Sequence, residues 1–136
     1  MAMKYFLLMI LVWATTAVVS CSARPNIILY NHSGQALMIY TKVEELRVGK
    51  ESSLTMRSPT DPTLRITSRQ AVWEYQLTYI PREYLRHGAF RDWYCLQIEP
   101  NGLIYVLKPE VTPPVQELPV QPPGFPLTPV VQPATG

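Results

Sequence analysis

Nine of the chain's 14 prolines fall within its last 28 residues (Pro109, Pro113, Pro114, Pro119, Pro122, Pro123, Pro126, Pro129 and Pro133). Proline fixes its own φ and has no N–H to give to a helix or a sheet, so residues 109–136 cannot form regular hydrogen-bonded structure along their length. The first 20 residues are almost uncharged and apolar: Lys4 is the only charge before Arg24. Only residues 22–108, 87 of the 136, mix charges with alternating apolar residues and can supply a core. A domain of that size buries roughly 60–65% of the surface its unfolded chain exposes, enough for one small independent unit and too little for a multidomain enzyme.

Within 22–108 no stretch keeps apolar residues at helical spacing for three turns, whereas several alternate or run apolar for five to eight residues between turn residues. The pattern predicts strands at Asn26–Tyr30, Ala36–Thr41, Ser53–Arg57, Leu64–Thr67, Ala71–Ile80, Trp93–Glu99 and Leu103–Leu107, with a weaker candidate at Leu46–Val48. The expected fold is all-β: a small antiparallel sandwich or partly open barrel of about seven strands, carrying one short helix and an extended proline-rich C-terminal tail. In the longest strand Trp73, Tyr75, Leu77 and Tyr79 share one face, which reads as core. Pro81 to Gly88 reads as a short helical turn that sets Arg82 and Arg86 on one side. In Glu99-Pro100-Asn101-Gly102, proline at 100 cannot occupy a hydrogen-bonded pair. A three-residue loop with a left-handed Gly102 is therefore expected, which sets Ile98 opposite Ile104 and Leu96 opposite Val106. Asn31-His32-Ser33-Gly34 reads as the turn between the first two strands.

The N-terminal segment has the layout of a secretory signal: Tyr5 to Val19 is an apolar run ended by small residues. As a helix, fifteen residues would reach only about 22 Å, short of the roughly 30 Å hydrocarbon core. The run ends Val18-Val19-Ser20-Cys21, which resembles the lipobox of bacterial lipoproteins. That resemblance, confined to the first 21 residues, implies cleavage before Cys21, a diacylglyceryl group on its sulfur and an acylated new amine. Two or more chains anchor stably where one binds a bilayer only marginally. With Ser22 rather than Asp after the cysteine, the resemblance implies an outer-membrane address in a Gram-negative cell, facing the periplasm. The resulting organisation is a signal peptide at 1–20, a lipidated tether at 21–25, a β domain at 26–108 and the tail at 109–136. Without lipidation, Cys21 and Cys95 could pair as a disulfide. With it, Cys95 is left beside Trp93, Tyr94 and Leu96 as a packed thiol.

Signatures of chemistry are sparse. There is no Gly-x-Ser-x-Gly elbow, no Cys-x-x-Cys, no His-Glu-x-x-His and no calcium loop, so neither a catalytic residue nor a metal or other cofactor is expected. Without Lys4 the chain carries 11 Lys plus Arg against 10 Asp plus Glu and has no basic stripe, which argues against nucleic acid. The densest charge cluster, Arg82, Glu83, Arg86, His87, Arg91 and Asp92, reads as a solvated face or, with Arg82 and Arg86, as a contact for acidic headgroups or cell-wall polymers.

From Cys21 to the first strand the tether spans at most about 14–18 Å. The tail, by contrast, could reach roughly 85 Å if fully extended. It has no charge after Glu117 and offers Phe125 and Leu127 as apolar anchors. It could be a docking peptide for a partner, a strap over its own domain or a spacer. The expectation is a non-catalytic, membrane-anchored envelope lipoprotein with an envelope protein as partner, working through the β domain and tail as an accessory or assembly factor. A small ligand-binding or enzyme-inhibitor lipoprotein is the alternative, and a hydrolase the most remote.

Overall fold

The computed structural model describes residues 24–132. Cys21 and the apolar run before it lie outside the described residues. The chain forms nine strands in two sheets and one short 3-10 turn. In chain order the strands are β1 (Asn26–Asn31), β2 (Leu37–Tyr40), β3 (Glu45–Val48), β4 (Ser53–Arg57), β5 (Thr63–Thr67), β6 (Val72–Gln76), β7 (Trp93–Ile98), β8 (Ile104–Leu107) and β9 (Val130–Gln132). One sheet has the order β4-β1-β7-β8, the other β3-β2-β5-β6-β9. The expected sandwich is the fold. Alternation puts Ile27, Leu29, Leu96, Ile98, Ile104 and Val106 of the first sheet in one core with Leu37, Ile39, Leu64, Ile66, Trp73 and Tyr75 of the second.

Seven strands fall at or within two residues of their expected bounds, including the weaker candidate as β3. The last hairpin also has its expected register: Ile98 faces Ile104, Leu96 faces Val106, and Gly102 is left-handed with φ +84°. A Cβ on Gly102 would come within 2.9 Å of the Trp73 ring, so glycine is required both by φ and by the indole lying over it. The Tyr75 hydroxyl donates to the Gly102 carbonyl (2.6 Å), tying this turn to the opposite sheet.

Four features differ from expectation. First, β1 and β7 pair in parallel, from Asn26 opposite Trp93 to Asn31 opposite Ile98, so the sheet is mixed rather than antiparallel throughout. Second, β6 ends at Gln76. Leu77 donates its N–H to the Pro62 carbonyl, outside any ladder, and Tyr79 is 77% exposed rather than part of the core face. Third, the helical turn is only Arg82–Tyr84, after which Arg86 bridges to Trp93 in extended conformation. Fourth, a ninth strand lies within the proline-rich segment.

That segment is a strap. Residues after Lys108 first cross the outer face of the first sheet, where the buried Gln97 side chain acts like a peptide group. Its Nε2 donates to the Val115 carbonyl (3.0 Å) and its Oε1 accepts from the Val115 N–H (2.9 Å). The strap then passes the edge strand β8, and here Gln121 reciprocates: its Oε1 accepts from the Val106 N–H (2.8 Å) and its Nε2 donates to the Val106 carbonyl (3.0 Å). Two residues along the same edge, Leu127 and Ile104 exchange both backbone hydrogen bonds, at 2.8 and 3.1 Å. Finally β9 pairs antiparallel with β6, closing the second sheet. Phe125 and Leu127, expected as anchors for a partner, are instead 8% and 3% exposed within the core cluster. The core therefore continues past Lys108. The reason is geometric: β8 and β6 leave one side of the sandwich open, and the strap supplies both the missing apolar filling and the missing edge partners.

Replacing Phe125 with alanine is expected to cost about 3–5 kcal/mol of unfolding free energy, as for a large-to-small change in a packed core. Gln121→Ala, which leaves the Val106 backbone groups unpaired, is expected to cost about 1–3 kcal/mol. Urea unfolding of the two variants against the parent chain measures both, and a Phe125→Ala variant as stable as the parent would contradict the strap.

Candidate functional site

The strand directions define two ends of the sandwich. The chain enters at one end through Arg24 and Pro25, and the 41–44, 58–62 and 77–92 connections lie at that same end. The 31–36, 49–52, 68–71 and 99–103 connections lie at the other.

At the entry end the 77–92 connection folds over the core. Ile80 and Tyr84 are buried beneath it, and the Tyr94 hydroxyl donates to the Ile80 carbonyl (3.3 Å). Its own apolar side chains do not all follow. Tyr79 stands out at 77% exposure and Phe90 is fully exposed, while Val43 of the neighbouring connection is 76% exposed. Among the described residues the other exposed large apolar side chains are Val120 and Val130, both on the strap. Between Tyr79 and Phe90 lies an open depression of about 650 Å3, lined by Arg24, Pro25, Arg82, Leu85, Arg91, Asp92 and Tyr94 among others. Gly88 makes the turn that presents Phe90, because a Cβ there would collide with the Arg91 carbonyl oxygen and the Trp93 ring. Asp92 holds the same turn, accepting from the Gly88 N–H (3.2 Å) and lying 3.5 Å from His87 Nδ1.

The two arginines singled out from the sequence separate. Arg82 lines the depression. Arg86 turns instead to the start of the strap, donating from one guanidinium nitrogen to the Lys108 carbonyl (2.8 Å) and to the Val111 carbonyl, while its buried Nε has no hydrogen-bond partner. It is a strap clamp, not a surface contact, because the bridge to Trp93 replaces the helical turn that would have aligned it with Arg82. Arg91, which the sequence placed only in the mixed cluster, joins the depression and donates to Asn26 Oδ1 (3.3 Å). Phe90 carried no signal, since a lone apolar residue in a polar loop has no periodicity to betray it.

At the opposite end, the parallel pairing carries His32 to Glu99, and His32 Nδ1 lies 2.7 Å from Glu99 Oε2. Glu99 Oε1 accepts from Gln97 Nε2 (2.9 Å), which links this pair to the strap through Val115. Nearby, the fully buried Asn31 donates from Nδ2 to the carbonyls of Gln35 (2.6 Å) and Gly49 (3.0 Å) and accepts from both the N–H and the hydroxyl of Ser33. Ser33 Oγ thus gives its proton to Asn31 Oδ1 and not to an imidazole. Among the described residues no three His, Cys, Asp or Glu side chains gather to hold a metal ion, and no helix is long and apolar enough to cross a membrane.

Cys95 is a free, buried thiol on the outer face of β7, beneath the strap. Burial pushes its pKa up, against a weaker opposing pull from Arg86, so the reactive thiolate is suppressed. Folded protein at about pH 8 is expected to react with a thiol reagent only as fast as the domain opens, and at the free-thiol rate in denaturant. Absorbance labelling reads both rates, and fast labelling without denaturant would contradict the packing. Asn31→Ala strands two buried carbonyls and is expected to lower stability by about 2–3 kcal/mol in the same urea assay.

Comparison of the chain with family models, with characterised proteins and with solved structures finds no match.

Proposed function

We propose that the chain is an envelope lipoprotein, held to a membrane by lipid on Cys21 and acting by binding rather than by catalysis, as an accessory factor to other envelope proteins. The observation that carries this reading is the run Tyr5 to Val19 ending in Val18-Val19-Ser20-Cys21, followed at once by a folded domain whose first strand begins at Asn26. A short tether after a lipidated cysteine would hold the sandwich at the membrane surface with its remaining loops directed outward. Binding is favoured over catalysis because both histidines are engaged in loop scaffolding, His32 with Glu99 and His87 beside Asp92. With Phe125 and Leu127 in the core, the strap serves the domain's integrity, and its outward side, where Val120 is exposed, remains for a partner. Binding of a small ligand is the second reading, favoured by the size of the entry-end depression, although its openness would leave a ligand half in solvent.

The anchor has a direct test. Cells grown with radioactive palmitate should label the parent chain and not Cys21→Ala, and the variant should leave the membrane fraction. Label retained on Cys21→Ala, or an unlabelled parent chain, would sink the proposal.

A further inference from the structure

The entry end of the sandwich is chemically unlike the far end. Three of the five exposed large apolar side chains among the described residues, Val43, Tyr79 and Phe90, sit at the entry end, and none of the five lies on a far-end connection. Around the depression between Tyr79 and Phe90 stand the guanidinium groups of Arg24, Arg82 and Arg91. The carboxylates nearby are Asp92, which is occupied with Gly88 and His87, and Glu83 on the 3-10 turn. Aromatic rings flanked by arginines suit the boundary between acyl chains and phosphates: the ring takes the apolar side, the guanidinium the phosphate oxygens.

Position along the chain decides which surface would meet such groups. From Cys21 to Arg24 the chain spans at most about 10–11 Å. The headgroup layer on each side of a bilayer is itself about 5–7 Å deep. Arg24 lines the same depression as Tyr79, Arg82 and Phe90. A domain tethered through Cys21 therefore cannot hold this end far from the lipid.

We infer that the entry end is a lipid seat: Phe90 and Tyr79 enter the headgroup region while Arg24, Arg82 and Arg91 pair with phospholipid phosphates. The domain is thereby fixed upright, with its far end presented away from the membrane. This inference rests on the anchor at Cys21 and adds an orientation to it. The lipids supply affinity for the membrane, and the seat supplies the pose.

The test uses the full chain purified from membranes and reconstituted into mixed phosphatidylethanolamine–phosphatidylglycerol vesicles. A fluorophore is attached through Phe90→Cys or, for the far end, Lys50→Cys; Cys95 is buried and takes no label while the domain is folded. Iodide quenching of the probe at 90 should fall several-fold on the vesicles, whereas quenching of the probe at 50 should not change. Arg82→Glu with Arg91→Glu should return quenching at 90 toward its detergent value while the protein still floats with the vesicles. Hydrogen exchange of amides 88–92 in unlabelled protein should slow on vesicles, which covers the case of a label that disturbs the loop. Equal quenching at 90 and 50 in acylated, floating protein, with unslowed exchange, overturns the seat alone. Protein that neither floats nor carries acyl groups on its N-terminal peptide overturns the anchor and the seat with it. Shielding that appears only with added peptidoglycan overturns the seat in favour of a cell-wall contact.

Discussion

The parallel pairing of β1 with β7 is the constraint on which the arrangement depends. β1 is internal in its sheet, hydrogen-bonded to β4 on one side and β7 on the other, and Leu29 and Leu96 at its centre are fully buried. Because the two strands run the same way, both begin at the same end of the sandwich. Residues entering β1 therefore lie against the loop entering β7, and Asn26 N–H donates to the Asp92 carbonyl. Both strands also finish together, which is why His32 meets Glu99. An antiparallel pair would have sent the 77–92 connection to the far end and dissolved the entry-end depression.

The strap answers a second constraint, the edge of β8. A segment so rich in proline cannot run as a strand along it, since most of the N–H groups a ladder needs are missing. The chain uses side chains in their place. One glutamine of the domain holds the strap at Val115, one glutamine of the strap holds the domain at Val106, and true backbone pairing is confined to Leu127 and β9. Proline itself aids this arrangement, because a backbone already restricted in φ loses less entropy when it is laid down.

Much of the sandwich was legible because strand alternation is a local property. Ser53–Arg57 could be bounded to the residue, and the register of the final hairpin followed from one missing N–H at Pro100 and one permissive glycine at 102. What could not be read is what depends on contacts between distant segments. Nothing in Asn26–Asn31 announces a parallel partner more than sixty residues away. The run from Trp73 to Tyr79 alternates well enough for a longer strand, yet β6 stops at Gln76 where its partner β5 begins at Thr63. The apolar residues of the strap looked like anchors for another molecule because sequence gives no measure of how much room β6 and β8 leave between them. At the candidate site Arg82 was found, Arg86 was placed on the wrong partner, and Phe90 was invisible, since it differs from a core phenylalanine only in where the loop turns it.

Completing the core with Phe125 and β9 also sets an order of assembly. A chain delivered N-terminus first, from a ribosome or through a translocation channel, can pair β1 with β4 and β2 with β5 early. It cannot pair β1 with β7 until 98 residues are out, nor cover Trp73 and the β8 edge until residues 125–132 follow. Throughout that interval the sticky flank of β8 is open to neighbouring chains. Delay at the last few residues is thus the period of greatest exposure to misassociation, and a nascent chain interrupted near Lys108 would be left with its side wall missing.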